Sequence, residues 1–241
     1  MTKIIEVLPD KGALVSRALA LVKEKIETAI ASHGYSTIAL AGGSTPKPLY
    51  EALSKETLPW DKIHVFWGDE RYVPCTHPDS NENMARQAWL NQVPIPPQNI
   101  HAMPTRAQNP QQDAETHDTH LQQFFGKSSG EFPAFDIILL GMGDDGHTAS
   151  LFPHTEALAV GDRRVTVGNK DDQPRLTFTV PLINEARCVI FLVAGANKIN
   201  ALTQVFAPEG DSKAYPSRLI APKGELWWLL DEAAAGESIN N

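Results

Sequence analysis

Three glycine-rich stretches of this 241-residue chain carry side chains that can do chemistry. The first is Gly42-Gly43-Ser44-Thr45-Pro46. Its glycines let backbone approach a ligand, Ser44 and Thr45 add hydroxyl donors, and a following helix would offer unpaired N–H groups. That chemistry suits a phosphate, and it equally suits a tight strand-to-helix turn. The Gly-Lys-Ser/Thr ending of a P-loop is missing. The second, Gly68-Asp69-Glu70-Arg71-Tyr72, sets two carboxylates and a guanidinium together. Arg71 can bind phosphate or stabilise an oxyanion; read alone, the group is also an ordinary surface salt-bridge cluster.

The third stretch is Gly141-Met142-Gly143-Asp144-Asp145-Gly146-His147-Thr148. Its first six residues match the dinucleotide pattern G-x-G-x-x-G. Two carboxylates in that loop would repel a pyrophosphate, and Ala149-Ser150-Leu151-Phe152-Pro153 leaves little room for the long helix the pattern requires. What remains is a loop delivering one imidazole beside carboxylates. Imidazole titrates near neutral pH, so His147 held by an aspartate suits general-base work.

Other candidates carry less. His117 and His120 are spaced i, i+3 with Asp113 and Glu115 nearby. They read as a solvated helix face, with metal ligation as the other reading. Lys198 follows Gly195-Ala196-Asn197 and can reach a phosphate or lie exposed. Cys75 and His77 make no recognised ligand set, and Cys188 sits in the apolar run Cys-Val-Ile-Phe-Leu-Val as a small hydrophobe.

The elements that must position these loops follow from periodicity. Residues 4–8 read as a strand. Asp10 caps a helix with its stripe at Leu14, Ala18, Leu21, Val22, Ile26, Ala29 and Ile30, and Gly34 stops it. A strand at 36–41 leads to a helix with Pro46 in its first position. Strands follow at 63–67, 100–103 and 135–140, with helices starting near Ser80 and spanning 113–125. The second half adds strands at 164–167, 176–180, 189–194 and 226–230, a helix at 197–206 and a loose tail at 232–241. Continuous apolar strands alternating with helices imply an α/β fold, a mostly parallel, Rossmann-like sheet with helices on both faces, plus a smaller strand-rich lobe from the second half. The whole chain, 1–241, reads as one domain. In such sheets the ligand lies beyond the carboxyl ends of the strands, where all three loops belong.

Composition narrows the function. The 21 Lys+Arg against 29 Asp+Glu give a net charge of -8, which disfavours nucleic acid and anionic membranes as partners. An anionic small molecule can still bind where cations are concentrated in one cleft. Two scattered cysteines, no apolar signal core and no spanning apolar run imply a cytoplasmic protein. A monomer or a small homo-oligomer is expected.

Taken together, the motifs resemble the glucosamine-6-phosphate isomerase/6-phosphogluconolactonase family. The resemblance is carried in order by the three loops, by Ser80-Asn81-Glu82-Asn83-Met84, Pro174-Arg175-Leu176-Thr177, Val193-Ala194-Gly195 with Lys198, Tyr215-Pro216 and Trp228-Leu229-Leu230-Asp231. It covers nearly the whole chain. It implies hydrolysis of a phosphosugar δ-lactone, with Gly42, Gly43 and Ser44 binding substrate, Arg175 and Lys198 at its phosphate, and Arg71 and His147 at the family's loop positions. No metal or organic cofactor is expected.

A lactone carbonyl is attacked by water, so His147 is expected to take the water's proton, Asp145 to orient the imidazole, and Arg71 or backbone N–H groups to meet the oxyanion. Glucosamine-6-phosphate deaminases resemble the chain at Asp69, Asp145 and His147. Their pattern, however, carries a Glu where this chain has Phe152 and reads Asp-Glu-Tyr where it has Asp69-Glu70-Arg71. A non-catalytic sugar-phosphate sensor is the other alternative.

Overall fold

Seven parallel strands make the main sheet of the computed structural model, which describes residues 2–239. They are β1 (Thr2–Leu8), β2 (Ser36–Leu40), β3 (Ile63–Trp67), β5 (Ile100–His101), β6 (Ile137–Leu140), β9 (Cys188–Val193) and β10 (Glu225–Asp231), in the order β1-β10-β9-β6-β2-β3-β5. Three more strands, β4 (Asp69–Arg71), β7 (Val165–Lys170) and β8 (Gln173–Phe178), form a small antiparallel sheet ordered β4-β8-β7. The smaller lobe is therefore built mainly from the second half, but it takes β4 from the first.

Alternation of side chains across each strand makes two cores. Ile38, Leu40, Val65, Trp67, Ile137, Leu139, Ile190 and Leu192 face one side. There they meet α1 (Lys11–His33), α2 (Lys47–Leu53) and α3 (Asn81–Ala85), which runs on as a π-turn at Arg86–Leu90. Ala39, Phe66, Ile138, Leu140, Phe191, Val193 and Trp228 face the other side. They pack against α4 (Pro110–Phe124), α5 (Val180–Asn184), α6 (Ile199–Phe206), α7 (Glu232–Ile239) and the small sheet. Strands covered on both faces need apolar residues at every position, which is why β6 and β9 read as unbroken apolar runs. Phe191 stacks on Trp228 with ring centroids 3.8 Å apart, a contact worth about 0.5–1.5 kcal/mol beyond its buried area.

The ends of α1 match their sequence signals. Asp10 accepts from the Ala13 N–H at 2.8 Å, and Gly34 (φ 90°) closes the helix on Ile30. Pro46, in contrast, sits one residue before α2, at its cap. The expected loose tail is helical over its described part, with non-helical backbone at Gly236; positions 240 and 241 lie outside the described residues. Among the described residues no helix is long and apolar enough to cross a membrane.

Candidate active site

Because the main sheet is parallel, the loops leaving β2, β3, β6 and β9 emerge at one edge. The chain runs outward from β2 to β3 and β5, then returns to place β6 on the other side of β2. That reversal is where open α/β sheets form a crevice. A cavity of about 240 Å³ lies there. Gly42, Gly43, Ser44, Asp69, Arg71, Asn81, His147, Arg175 and Lys198 all line it. In a chain of net charge -8, its walls bring Arg71, Arg175 and Lys198 together against, among the described residues, the single carboxylate of Asp69.

The first loop is held from behind. The Tyr50 hydroxyl donates to the Ala41 carbonyl at 2.7 Å and accepts the Ala41 N–H at 3.0 Å. Gly43 has φ 100°, a left-handed conformation that favours glycine. A Cβ on Gly42 would lie 2.0 Å from Asn81 Oδ1, so that glycine makes room for the asparagine. Lys11 Nζ donates to the Ser44 carbonyl at 2.9 Å.

Arg71 and Arg175 are directly opposite each other on β4 and β8. Like charges so placed repel. Burial first, and the facing Arg71 second, lower the Arg175 pKa. The Nε of each guanidinium is buried without a hydrogen-bond partner among the described residues. Arg71 spends one terminal nitrogen on the Asp79 carbonyl at 2.6 Å. An anion between the two guanidiniums would relieve the repulsion and supply acceptors for their unused donors.

Across the cleft, His147 Nδ1 lies 2.5 Å from Asp145 Oδ1, which also accepts the His147 N–H at 3.0 Å. Asp145 is not part of the cleft wall. Partial burial pushes its carboxyl up, but the hydrogen bonds from His147 outweigh this and hold it down at about 2. A Cβ on Gly143 would fall 2.1 Å from His147 Nδ1 and 2.5 Å from Asp145 Oδ1, so the pair exists only beside a glycine. The Phe152 ring packs 4.5 Å from the imidazole and 5.4 Å from the Arg175 guanidinium. Lys198 Nζ is 3.9 Å from Asp144.

The structure thus gathers every expected substrate-binding residue and His147 around one cleft, with Asp145 behind the imidazole. Asp69, Glu70 and Asn81 received no role from the sequence. Asp69 is buried, accepts from Ser150 Oγ at 2.7 Å and so ties β4 to the His147 loop. Asn81 Nδ2 donates to the Asp69 carbonyl at 2.9 Å. Burial pushes the Glu70 carboxyl up to about 7, against the backbone N–H groups of Asn81, Glu82 and Arg71 that bond to it. The carboxylate-rich motif was visible; its partners, mostly backbone N–H groups, leave no mark in a sequence.

One expectation fails. His117 is not on a solvated face: it is 2% exposed and points into the second core from α4. His120, beside it, is half-buried. His64 Nδ1, His101 Nε2 and Nδ1, and His120 Nε2 form a chain with steps of 3.1 and 2.9 Å. Among the described residues no group of three His, Cys, Asp or Glu is arranged to hold a metal ion. The physical reason for the inward turn is helical spacing: residue 117 falls between Ala114 and Leu121 on the buried stripe.

Comparison with known proteins places the chain as a whole. A family model described as glucosamine-6-phosphate isomerases/6-phosphogluconolactonase matches residues 9–228. A 6-phosphogluconolactonase of Nostoc sp. is 65% identical over 237 residues, covering 98% of this chain and 99% of the relative. One from Synechocystis sp. is 64% identical over 239 residues, covering 99% of each. The solved structure of 6-phosphogluconolactonase from Trypanosoma brucei aligns with a TM-score of 0.87 at 32% identity, covering 97% of this chain and 98% of that one. With its motifs and fold in agreement, the chain belongs to the glucosamine-6-phosphate isomerase/6-phosphogluconolactonase family.

Proposed function

We propose that this chain hydrolyses 6-phospho-D-glucono-1,5-lactone to 6-phospho-D-gluconate, the lactone-opening step of the oxidative pentose phosphate pathway. The observation that carries this reading is the shared cleft: a carboxylate-paired imidazole on one wall and the facing pair Arg71 and Arg175, with Lys198, on the others. Full-length relatives named for this activity support it.

In the proposed reaction Asp145 accepts a hydrogen bond from the His147 Nδ1–H, which fixes the tautomer and leaves Nε2 as the base. Nε2 removes a proton from water, and the hydroxide oxygen bonds to the lactone carbonyl carbon. The oxyanion is met by Arg71 or by backbone N–H groups. As the carbonyl re-forms, the bond to the ring oxygen breaks, and the imidazolium returns its proton to that oxygen. Arg175, Lys198 and the loop at residues 42–44 hold the phosphate end, and Arg71, facing Arg175, serves either that phosphate or the oxyanion. This chemistry draws on no metal or organic cofactor. The enzyme is read as cytoplasmic, a monomer or small homo-oligomer, with a small-molecule substrate and no nucleic-acid or membrane partner.

Phe152 argues against amine elimination, because an apolar ring fills the space beside His147 where deaminases are expected to carry a carboxylate. The deciding experiment supplies freshly generated lactone and follows released 6-phosphogluconate. Loss of lactone well above its spontaneous rate is expected. No acceleration, or ammonia release from glucosamine 6-phosphate, would overturn the reading.

A further inference from the structure

We infer that Glu70, which is absent from the cleft wall, is a positioning residue that sets Arg71 and Asn81 in it and so governs how tightly the substrate's anionic end is held. The inference rests on the lactonase reading above. Residues on a strand alternate in direction. Asp69 and Arg71 line the cleft, and Glu70 between them points the other way, toward the start of α3.

There Glu70 is 2% exposed, and among the described residues its carboxylate is held by neutral donors alone. Oε1 accepts the Arg71 N–H and the Asn81 N–H, each at 2.7 Å. Oε2 accepts the Glu82 N–H at 2.8 Å and the Ser80 hydroxyl at 3.0 Å. Asn81 and Glu82 are the first two residues of α3, whose N–H groups have no partner within the helix. Ser80 Oγ takes the third, from Asn83, at 3.1 Å. Glu70 therefore caps a helix from another strand, and its buried charge is tolerable only while those donors stay in place.

Both cleft residues hang on this clamp. Arg71 is fixed at its backbone by Glu70 and at its guanidinium by the Asp79 carbonyl, one residue before the clamped segment. Asn81 is fixed at its N–H by Glu70, and its amide lies against Gly42 of the first loop. Releasing Glu70 frees the Arg71 side and the wall of the Gly42 loop together, while His147 and Asp145 keep their own hydrogen bonds.

The test is Glu70→Gln, which keeps the volume but turns an amide N–H group toward donors. We expect KM for the lactone to rise at least about tenfold, the equivalent of about 1.4 kcal/mol. Turnover should stay within about threefold of the parent. Combined with Arg71→Met, the variant should lose less than the product of the two single penalties, since part of the Glu70 effect passes through that guanidinium. A folded Glu70→Gln protein with parental KM, or penalties that multiply in the double variant, overturns the inference. If Glu70→Gln does not fold, Ser80→Ala decides: KM raised roughly two- to threefold at constant turnover supports the clamp, and unchanged KM overturns it. A parental protein inactive on lactone condemns the lactonase reading alone. The clamp is then judged by inorganic phosphate, which Glu70→Gln must bind more weakly than the parent does; equal binding overturns it.

Discussion

His147 and the histidines beside the edge strand β5 carry the same side chain in opposite surroundings. His147 keeps about 20% of its side chain exposed at a cleft and is paired with Asp145. His64, His101 and His120 bond to one another, with the His101 ring stacked 4.3 Å from Phe66 and edge-on to Phe124 at 4.8 Å. His117 is sealed beside them. Burial lowers the pKa of all four, and it pushes His101 and His117 down to about 3, with neighbouring imidazoles adding to the effect. An adjoining carboxylate and an opening suit an imidazole to proton transfer; hydrocarbon turns it into a neutral packing and hydrogen-bonding piece.

Four substitutions can break or sharpen this contrast. The largest effect is expected from His147→Ala, which should cut turnover of fresh lactone about 10²–10⁴-fold with the fold intact. Near-parental turnover would remove this imidazole from the chemistry. Gly143→Ala should follow. Its new methyl group displaces the His147–Asp145 pair, and a shift of about 1 Å costs on the order of 10²-fold in turnover. Parental kinetics would mean the pairing geometry is not demanding.

Arg175→Met should act on binding, raising KM about tenfold or more while turnover changes less. An unchanged KM would take Arg175 out of the phosphate site. His117→Leu should leave neutral-pH kinetics untouched and alter only acid stability. An imidazole pushed below its ordinary 6.5 binds fewer protons when folded than when unfolded. Its stabilising contribution is complete above about pH 6.5 and is lost as the pH falls toward 3, at up to about 1.4 kcal/mol per pH unit. Denaturant unfolding at several pH values should show a shallower acid slope in the variant. An identical slope would mean that His117 does not set the acid limb.

Where packing and chain direction impose the pattern, the sequence was readable. The unbroken apolar runs of β6 and β9, the capped stripe of α1 and the polar loops after strands gave the parallel sheet and the edge where the cleft opens. β4 escaped because Asp69-Glu70-Arg71 has no strand character of its own; pairing with β8 makes it a strand. Glu70 and Asn81 escaped because tertiary contacts assign their work. The inward turn of His117 was available in the spacing 114, 117 and 121, but the surrounding acidic and polar residues outweighed it.

The two-residue length of β5 has a consequence for solubility. A sheet recruits foreign chains along an unpaired rim, and Ile100–His101 offers a foothold of only about 7 Å, too short to set a register for an incoming strand. The opposite rim, β1, is seven residues long, and Lys3 and Glu6 place charge along it. An intermolecular cross-β stack seeded from the native sheet would therefore find its foothold at β1, and added charge at that border is where resistance to aggregation would be gained.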